Sequence, residues 1–109
     1  MHEGHRGRMR EKYIKNGIDS LAEHEVLEML LYYSVPRGNT NETAHLLLKE
    51  FGCIANVFDA DVEDLMHVKG VGEQSAVLIK MIKDMASYYN RSVWSERPTL
   101  SNSVDTGLY

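Results

Sequence analysis

The sequence predicts an all-α domain of five or six short helices, and three observations carry that prediction. Apolar residues recur at three- and four-residue spacing almost throughout. No segment alternates apolar and polar residues for long enough to make a half-buried strand. Between the apolar stretches stand helix stop and start signals, a Gly or Pro followed by Ser, Asn or Asp. With 109 residues, 43% of them apolar, the chain can build one domain with a modest core.

The elements follow in order. A first helix is predicted over about residues 4–16, with Met9, Tyr13 and Ile14 as a narrow apolar stripe and Asn16-Gly17 as its C-terminal cap pair. Ser20 and Glu23 read as a capping box that opens a second helix, bearing Leu21, Val26, Leu27, Leu30 and Leu31, with Tyr33 as a further candidate. Pro36 closes that helix, because the residue before a proline is pushed out of the α region. In "PRGNTN", Asn39, Thr40 or Asn41 can cap a third helix bearing Ala44, Leu47, Leu48 and Phe51, which Gly52 terminates. "IANVF" is a further helical turn or two, and Asp61 and Asp64 begin a short helix that runs through Met66. The last helix is predicted from Glu73 to Tyr89, with Ala76, Ile79, Ile82, Met85, Ala86 and Tyr89 in register. After Asn90 the stripe fails, so residues 1–90 read as the domain and 91–109 as a linker toward an absent C-terminal domain. Trp94 is expected to pack back on the last helix, a partner contact being the alternative.

The net charge of -4 hides a strong segregation. Residues 1–16 carry Arg6, Arg8, Arg10, Lys12 and Lys15 against two acids, residues 19–64 carry ten acids against Arg37 and Lys49, and residues 69–97 carry five cations against three acids. A polyanion would be drawn to the two ends and repelled by the middle. Cys53 is the only cysteine, which excludes an internal disulfide framework and suggests a small buried thiol in a reducing compartment. The charged start "MHEGHRGRMREK" has no apolar core of a secretion signal, and no stretch is long enough to cross a bilayer. A cytoplasmic location without membrane partners is expected.

The motif that carries most chemistry is "HVKGVGEQSA" at residues 67–76. Leu65, Val68, Gly70, Val71, Gly72, Ala76 and Ile79 fit the helix-hairpin-helix pattern, and each has a physical reason. Gly70 can take a positive φ and Gly72 permits close backbone approach, while Val71 can tuck into the angle between the helices and Ala76 lets them cross at short range. The first-turn amides of the following helix, at the positive end of its dipole, can then hold a phosphate oxygen without reading a base. Lys69 favours this, Gln74 and Ser75 can donate hydrogen bonds, and Glu73 opposes it. The alternative is a plain packing corner. The stretch 20–51 reads as a degenerate second hairpin, structural first, with Arg37 and the amides of Asn39 to Asn41 as secondary phosphate contacts. Arg6 and Arg10, at i and i+4, would form a phosphate clamp if the first helix lies beside the hairpin, the alternative being a solvated face. His5 could assist them at a phosphate.

With these residues in hand, the chain resembles a known family. "GHRGRMREKYIKNGIDSLAEHEVLEMLLYYSVPRGNTNETAHLLLKEFG" followed by "VKGVGEQSAVLIKMI" looks like the N-terminal domain of the RadC family of bacterial proteins, over roughly residues 2–90. The tail "RPTLSNSVDTGLY" resembles the lead-in to that family's second domain, a JAMM/MPN metalloprotease-like fold. The resemblance implies a helix-hairpin-helix domain that binds DNA or docks, separated from its catalytic partner, with a link to DNA repair.

Catalysis within the chain is not expected. His2 and His5 have the spacing of a metal pair but lack a third ligand; His24, His45 and His67 lack a carboxylate at triad spacing; Ser20, Ser75 and Ser87 lack a nucleophile elbow. No cofactor or metal is implied. The expectation is therefore a non-enzymatic accessory domain that binds DNA weakly and without base specificity through Lys69, Gly70, Val71, Gly72, Gln74 and Ser75, helped by Arg6, Arg8, Arg10, Arg37 and Lys80. The alternative is a protein-interaction module that docks on the missing metalloprotease-like domain or another partner.

Overall fold

The computed structural model describes residues 2–96, with side chains from 4 to 95, and every element in it is helical. α1 spans His2–Asn16, and Gly17, at φ 85, turns the chain into a 3-10 helix over Ile18–Ser20. α2 is Glu23–Leu31, α3 Thr40–Phe51, α4 Ile54–Asp59, α5 Val62–Met66 and α6 Glu73–Glu96.

The expected caps hold in part. Asn39 Oδ1 accepts the Glu42 amide at 3.1 Å and so caps α3, and Gly52 ends it at φ 95 with its amide on the Leu48 carbonyl at 2.7 Å. Only half of the expected capping box forms, two residues later than Ser20 and Glu23. Ala22 is the N-cap of α2, and its amide donates to Glu25 Oε1 at 2.9 Å. Ser20 instead donates to the Gly17 carbonyl at 2.7 Å and holds the preceding turn closed. α2 ends at Leu31 rather than next to Pro36, since Tyr32–Ser34 close tight turns onto Met29, Leu30 and Leu31.

The core is assembled from one face of each later helix. Leu27 and Leu31 of α2 meet Ala44 and Leu47 of α3, Val57 of α4, Leu65 of α5, and Ala76 and Ile79 of α6, all fully buried. Each large side chain among them contributes about 1.5–3 kcal/mol by leaving water. Of the apolar stripe expected on α1, only Met9 is buried; Tyr13 and Ile14 are 44% and 79% exposed. α1 is therefore held largely by polar contacts.

Two further expectations are corrected. Cys53 is half-buried as the N-cap residue of α4, not a core thiol. α6 does not stop at Tyr89 but runs on to Glu96, and Trp94 is 71% exposed instead of packing back. The sequence pattern ends at Tyr89 because residues 90–96 carry few apolar side chains, although the helix continues; residues 81–91, among them the expected core positions Ile82, Met85, Ala86 and Tyr89, are all exposed. The remainder of the stretch read as a linker lies outside the described residues. No helix among the described residues is long and apolar enough to cross a membrane.

Candidate nucleic-acid interface

The loop 67–72 joins α5 to α6 by two successive tight turns. Val68 N donates to Leu65 O at 3.1 Å and Val71 N to Val68 O at 3.0 Å. Both valines are buried, 8% and 5% exposed, and Val71 is the wedge that its position implied.

The two glycines do different work. Gly70 stands at φ 93, a left-handed conformation that costs an L residue about 1–2 kcal/mol. A Cβ there would also collide with the hydroxyl of Thr43 on α3. Gly70 is thus where the hairpin touches the neighbouring helix. Gly72 has no positive φ, and a Cβ added to it would meet nothing within 4 Å. Its carbonyl accepts the Ala76 amide at 3.0 Å, which makes it the N-cap of α6. Being glycine, it offers no side chain to occupy the first-turn amides of α6, and those amides carry the positive end of the helix dipole.

Lys69 and Gln74 are exposed beside this helix start, as is Glu73, whose carboxylate opposes an anion. Ser75 is not available. It is 2% exposed, and its hydroxyl is hydrogen-bonded to that of Ser34 at 2.7 Å. The side chain expected at a phosphate instead ties α6 to the α2–α3 loop. Lys80 is half-buried further along α6, and Arg37 is exposed in that loop.

Arg6 is likewise used inside the protein. One of its guanidinium nitrogens donates to the carbonyls of Val35 at 2.9 Å and Pro36 at 3.1 Å, and the other to Gly38 at 3.4 Å. The group lies 4.5 Å from the centre of the Tyr32 ring, a cation–π contact. The expected clamp of Arg6 with Arg10 is therefore not formed; Arg8 and Arg10 are exposed on α1. α1 rests on the 3-10 helix and α2, and its N-terminal end is linked to the hairpin through the α2–α3 loop, which Arg6 grips at Val35 and Ser34 joins to Ser75.

Beneath Arg6 lies a cluster that the sequence did not announce. Glu28 of α2 is 3% exposed, yet its carboxylate is fully partnered. His5 Nε2 donates to Oε2 at 2.7 Å, the Tyr32 hydroxyl donates to the same oxygen at 2.9 Å, and Asn41 Nδ2 donates to Oε1 at 3.0 Å. Thr40 Oγ1 donates to the Glu28 carbonyl at 3.2 Å. Burial alone would push the carboxyl up, but the hydrogen bonds from Asn41, His5 and Tyr32 outweigh it and hold the group below the ordinary glutamate value. Burial, reinforced by Glu28, pushes the Tyr32 hydroxyl well above the usual tyrosine range and keeps it a donor. His5 thus serves Glu28 rather than a phosphate. A cavity of about 250 Å³, bordered by His5, Arg6, Glu28, Tyr32 and the 38–41 loop, opens here.

The fold also stacks His24 on His45, with ring centres 4.5 Å apart, across α2 and α3. Among the described residues no group of three or more His, Cys, Asp or Glu side chains is placed to hold a metal. The partners of Glu28 lie 23, 4 and 13 residues away along the chain, so only the 28/32 pair, on one helix face, could have been suspected from spacing.

Comparison with known proteins bears on this geometry. The family described as UPF0758 N-terminal matches residues 4–77, from α1 into the first turns of α6. A UPF0758 protein of Fusobacterium nucleatum is 42% identical over 85 residues, 78% of this chain and 37% of that protein. A UPF0758 protein of Ruegeria pomeroyi is 37% identical over 98 residues, 90% of this chain and 44% of that protein. The matched region is thus less than half the length of either relative. No solved structure matches the chain.

Proposed function

The chain belongs to the UPF0758 N-terminal family, the RadC-like N-terminal region, and on that footing we propose that it is a non-catalytic accessory domain that binds DNA backbone without base specificity. α2–loop–α3 and α5–loop–α6 form a pair of helix-hairpin-helix units joined by α4. The second is the phosphate reader and the first a degenerate partner. Each loop contains a left-handed glycine ahead of its second helix, Gly38 at φ 115 and Gly70 at φ 93. They differ at the cap: Asn39 fills the amides of α3 with its own side chain, whereas Gly72 leaves those of α6 to an external acceptor.

The observation that carries this reading is the open cap at Gly72, with Lys69 and Gln74 exposed beside it. A phosphate oxygen takes the Glu73 and Gln74 amides, Lys69 supplies the charge, and Arg8, Arg10, Arg37 and Lys80 provide longer-range attraction. Ser75 and Arg6 act through structure, holding the α2–α3 loop against the hairpin. A role in DNA repair would belong to the longer protein of which such a domain forms part.

Fluorescence anisotropy with short duplex, single-stranded and branched DNA tests it. Binding is expected at low salt, with log K falling linearly against log salt as counterions are released. Gly72→Val places a side chain over the space a phosphate needs, with a Cβ that meets nothing within 4 Å, so circular dichroism is expected to be unchanged while affinity falls about tenfold or more. Lys69→Glu is expected to weaken binding to all sequences alike. Indistinguishable wild-type and Gly72→Val curves, or no binding at low salt, would remove this reading.

One observation favours a second reading, docking on the remainder of the longer protein, the metalloprotease-like domain that the RadC resemblance implies. An apolar groove of about 720 Å³ runs between the 3-10 helix, α2 and α4, lined by Ile18, Leu21, Met29, Tyr33, Phe58 and Ile82 among others. NMR titration with the remaining portion of the Fusobacterium nucleatum relative distinguishes the two. Shifts at those groove residues, with DNA leaving the amides of residues 70–75 unmoved, would favour docking.

A further inference from the structure

Past Ile82, α6 has no neighbour to cover it. On the side opposite the buried Ala76 and Ile79, the residues Val77, Met81, Met85 and Tyr88 follow at i, i+4, i+8 and i+11, and are 43%, 51%, 51% and 64% exposed. This spacing places an apolar stripe along one line of the helix, where water gains nothing from it.

The charges that flank the stripe are arranged in a particular way. Asp84 and Arg91 are seven residues apart, two turns along one edge of the same face, and together with Met81, Met85, Ser87 and Tyr88 they line a surface groove of about 550 Å³. The Arg91 guanidinium lies 5.8 Å from the centre of the Tyr88 ring, which keeps the cation beside the stripe. Asp84 forms no ion pair among the described residues, whereas Lys83, one position away, is bonded to Asp59 at 2.9 Å.

A face with an acid and a base two turns apart on one edge is complementary to itself when a copy is laid antiparallel. A two-fold axis between Ser87 and Tyr88 brings Asp84 of one copy to Arg91 of the other, and the same pair recurs on the far side of the axis. Met85 and Tyr88 of both copies then meet at the centre, with Met81 toward each end. The two bodies then lie toward opposite ends of the paired helices, since residues 81–91, which make up most of the overlap, are exposed. In a parallel pairing the two copies of this edge fall on opposite sides of the interface, so Asp84 and Arg91 do not meet.

We propose that the protein self-associates through α6 as an antiparallel, two-fold symmetric dimer, closed by Met81, Met85 and Tyr88 and set in register by reciprocal Asp84–Arg91 pairs. Such a dimer presents its two hairpins at opposite ends of one rod, independently of whether they bind DNA.

Sedimentation velocity and light scattering on the 109-residue chain over a micromolar to millimolar series test this, with circular dichroism to check helix content. The wild type is expected to pass from monomer to dimer over that series. Asp84→Arg and Arg91→Asp are each expected to raise the dimer dissociation constant about tenfold or more, because each turns two attractive pairs into two repulsive ones. The double variant Asp84→Arg with Arg91→Asp restores the pairs and is expected to return to near wild-type association. Met85→Glu is expected to abolish it. A wild type that stays monomeric to millimolar concentration overturns the proposal. So does a dimer indifferent to Met85→Glu, or single-variant losses that the double variant does not rescue.

Discussion

Gly70→Ala is expected to destabilise the domain by about 2–4 kcal/mol, from two separable causes. The left-handed φ of 93 costs an alanine about 1 kcal/mol or more. The added Cβ also collides with the Thr43 hydroxyl, and Thr43, itself 9% exposed, has little room to retreat. Forcing a methyl into a packed contact costs about 1–3 kcal/mol. Against a total stability of about 5–15 kcal/mol this is a large fraction, and thermal unfolding should show a drop of about 10–25 °C. The two causes separate in a double-mutant cycle. Thr43→Ala removes the hydroxyl that collides but cannot relieve the φ strain, so Gly70→Ala should cost about 1 kcal/mol or more less in that background. Additive costs would mean that the two residues do not touch. The same reasoning places Gly70 outside any clean test of DNA binding, because its loss disturbs the fold, and assigns that test to Gly72.

Glu28→Ala is expected to cost about 2–4 kcal/mol, since it leaves the buried Tyr32 hydroxyl and the half-buried Asn41 amide without their acceptor and frees the His5 ring, itself half exposed, from α2. Glu28→Gln keeps the size and one acceptor oxygen, and is expected to cost less, about 1–2 kcal/mol. The damage should fall first on α1. That helix buries only Met9 and is otherwise held by His5 on Glu28, Arg6 on the α2–α3 loop and Lys12 on Glu25 at 3.3 Å. Hydrogen exchange is expected to show α1 amides losing protection before those of α3 or α6. The pH dependence follows from the sign of the shift. Glu28 has a folded-state pKa below its unfolded value of about 4.3, so its contribution is fully present above that value and is lost as the pH falls through the folded pKa. Glu25, lowered by the Ala22 amide and Lys12 against a smaller opposing effect of burial, acts in the same direction. Unfolding free energy against pH should therefore drop below about pH 4 in the wild type, and less steeply in Glu28→Gln.

Much of the architecture was legible because it is local. The stripes of α2 and α3 report burial directly, that of α6 does so at Ala76 and Ile79 but not at Ile82, Met85, Ala86 and Tyr89, which are exposed, Asn39 and Gly52 announce the ends of α3, and Gly70-Val71-Gly72 announces a corner in which Val71 is buried. What could not be read depends on residues far apart in the chain. A glutamate amid apolar positions gives no sign that His5, Tyr32 and Asn41 will surround it, and an arginine in a basic arm gives no sign that it will reach the carbonyls of residues 35, 36 and 38. Ser75 looked like a donor at a helix start, and its burial against Ser34 depends on how the α2–α3 loop lies. The extension of α6 to Glu96 was hidden for another reason, since residues 90–96 carry too few apolar side chains to mark a helix by spacing.

Receipt of a DNA phosphate at the open cap of α6, as proposed, is read most directly from the backbone amides by NMR while a short duplex is added at low salt. The amides of residues 70–75 are expected to shift together, with Glu73 and Gln74 moving furthest, added salt is expected to reverse the shifts, and Gly72→Val to suppress them. Amides of the hairpin that stay in place while DNA binds elsewhere, or shifts that persist unchanged in Gly72→Val, would contradict it.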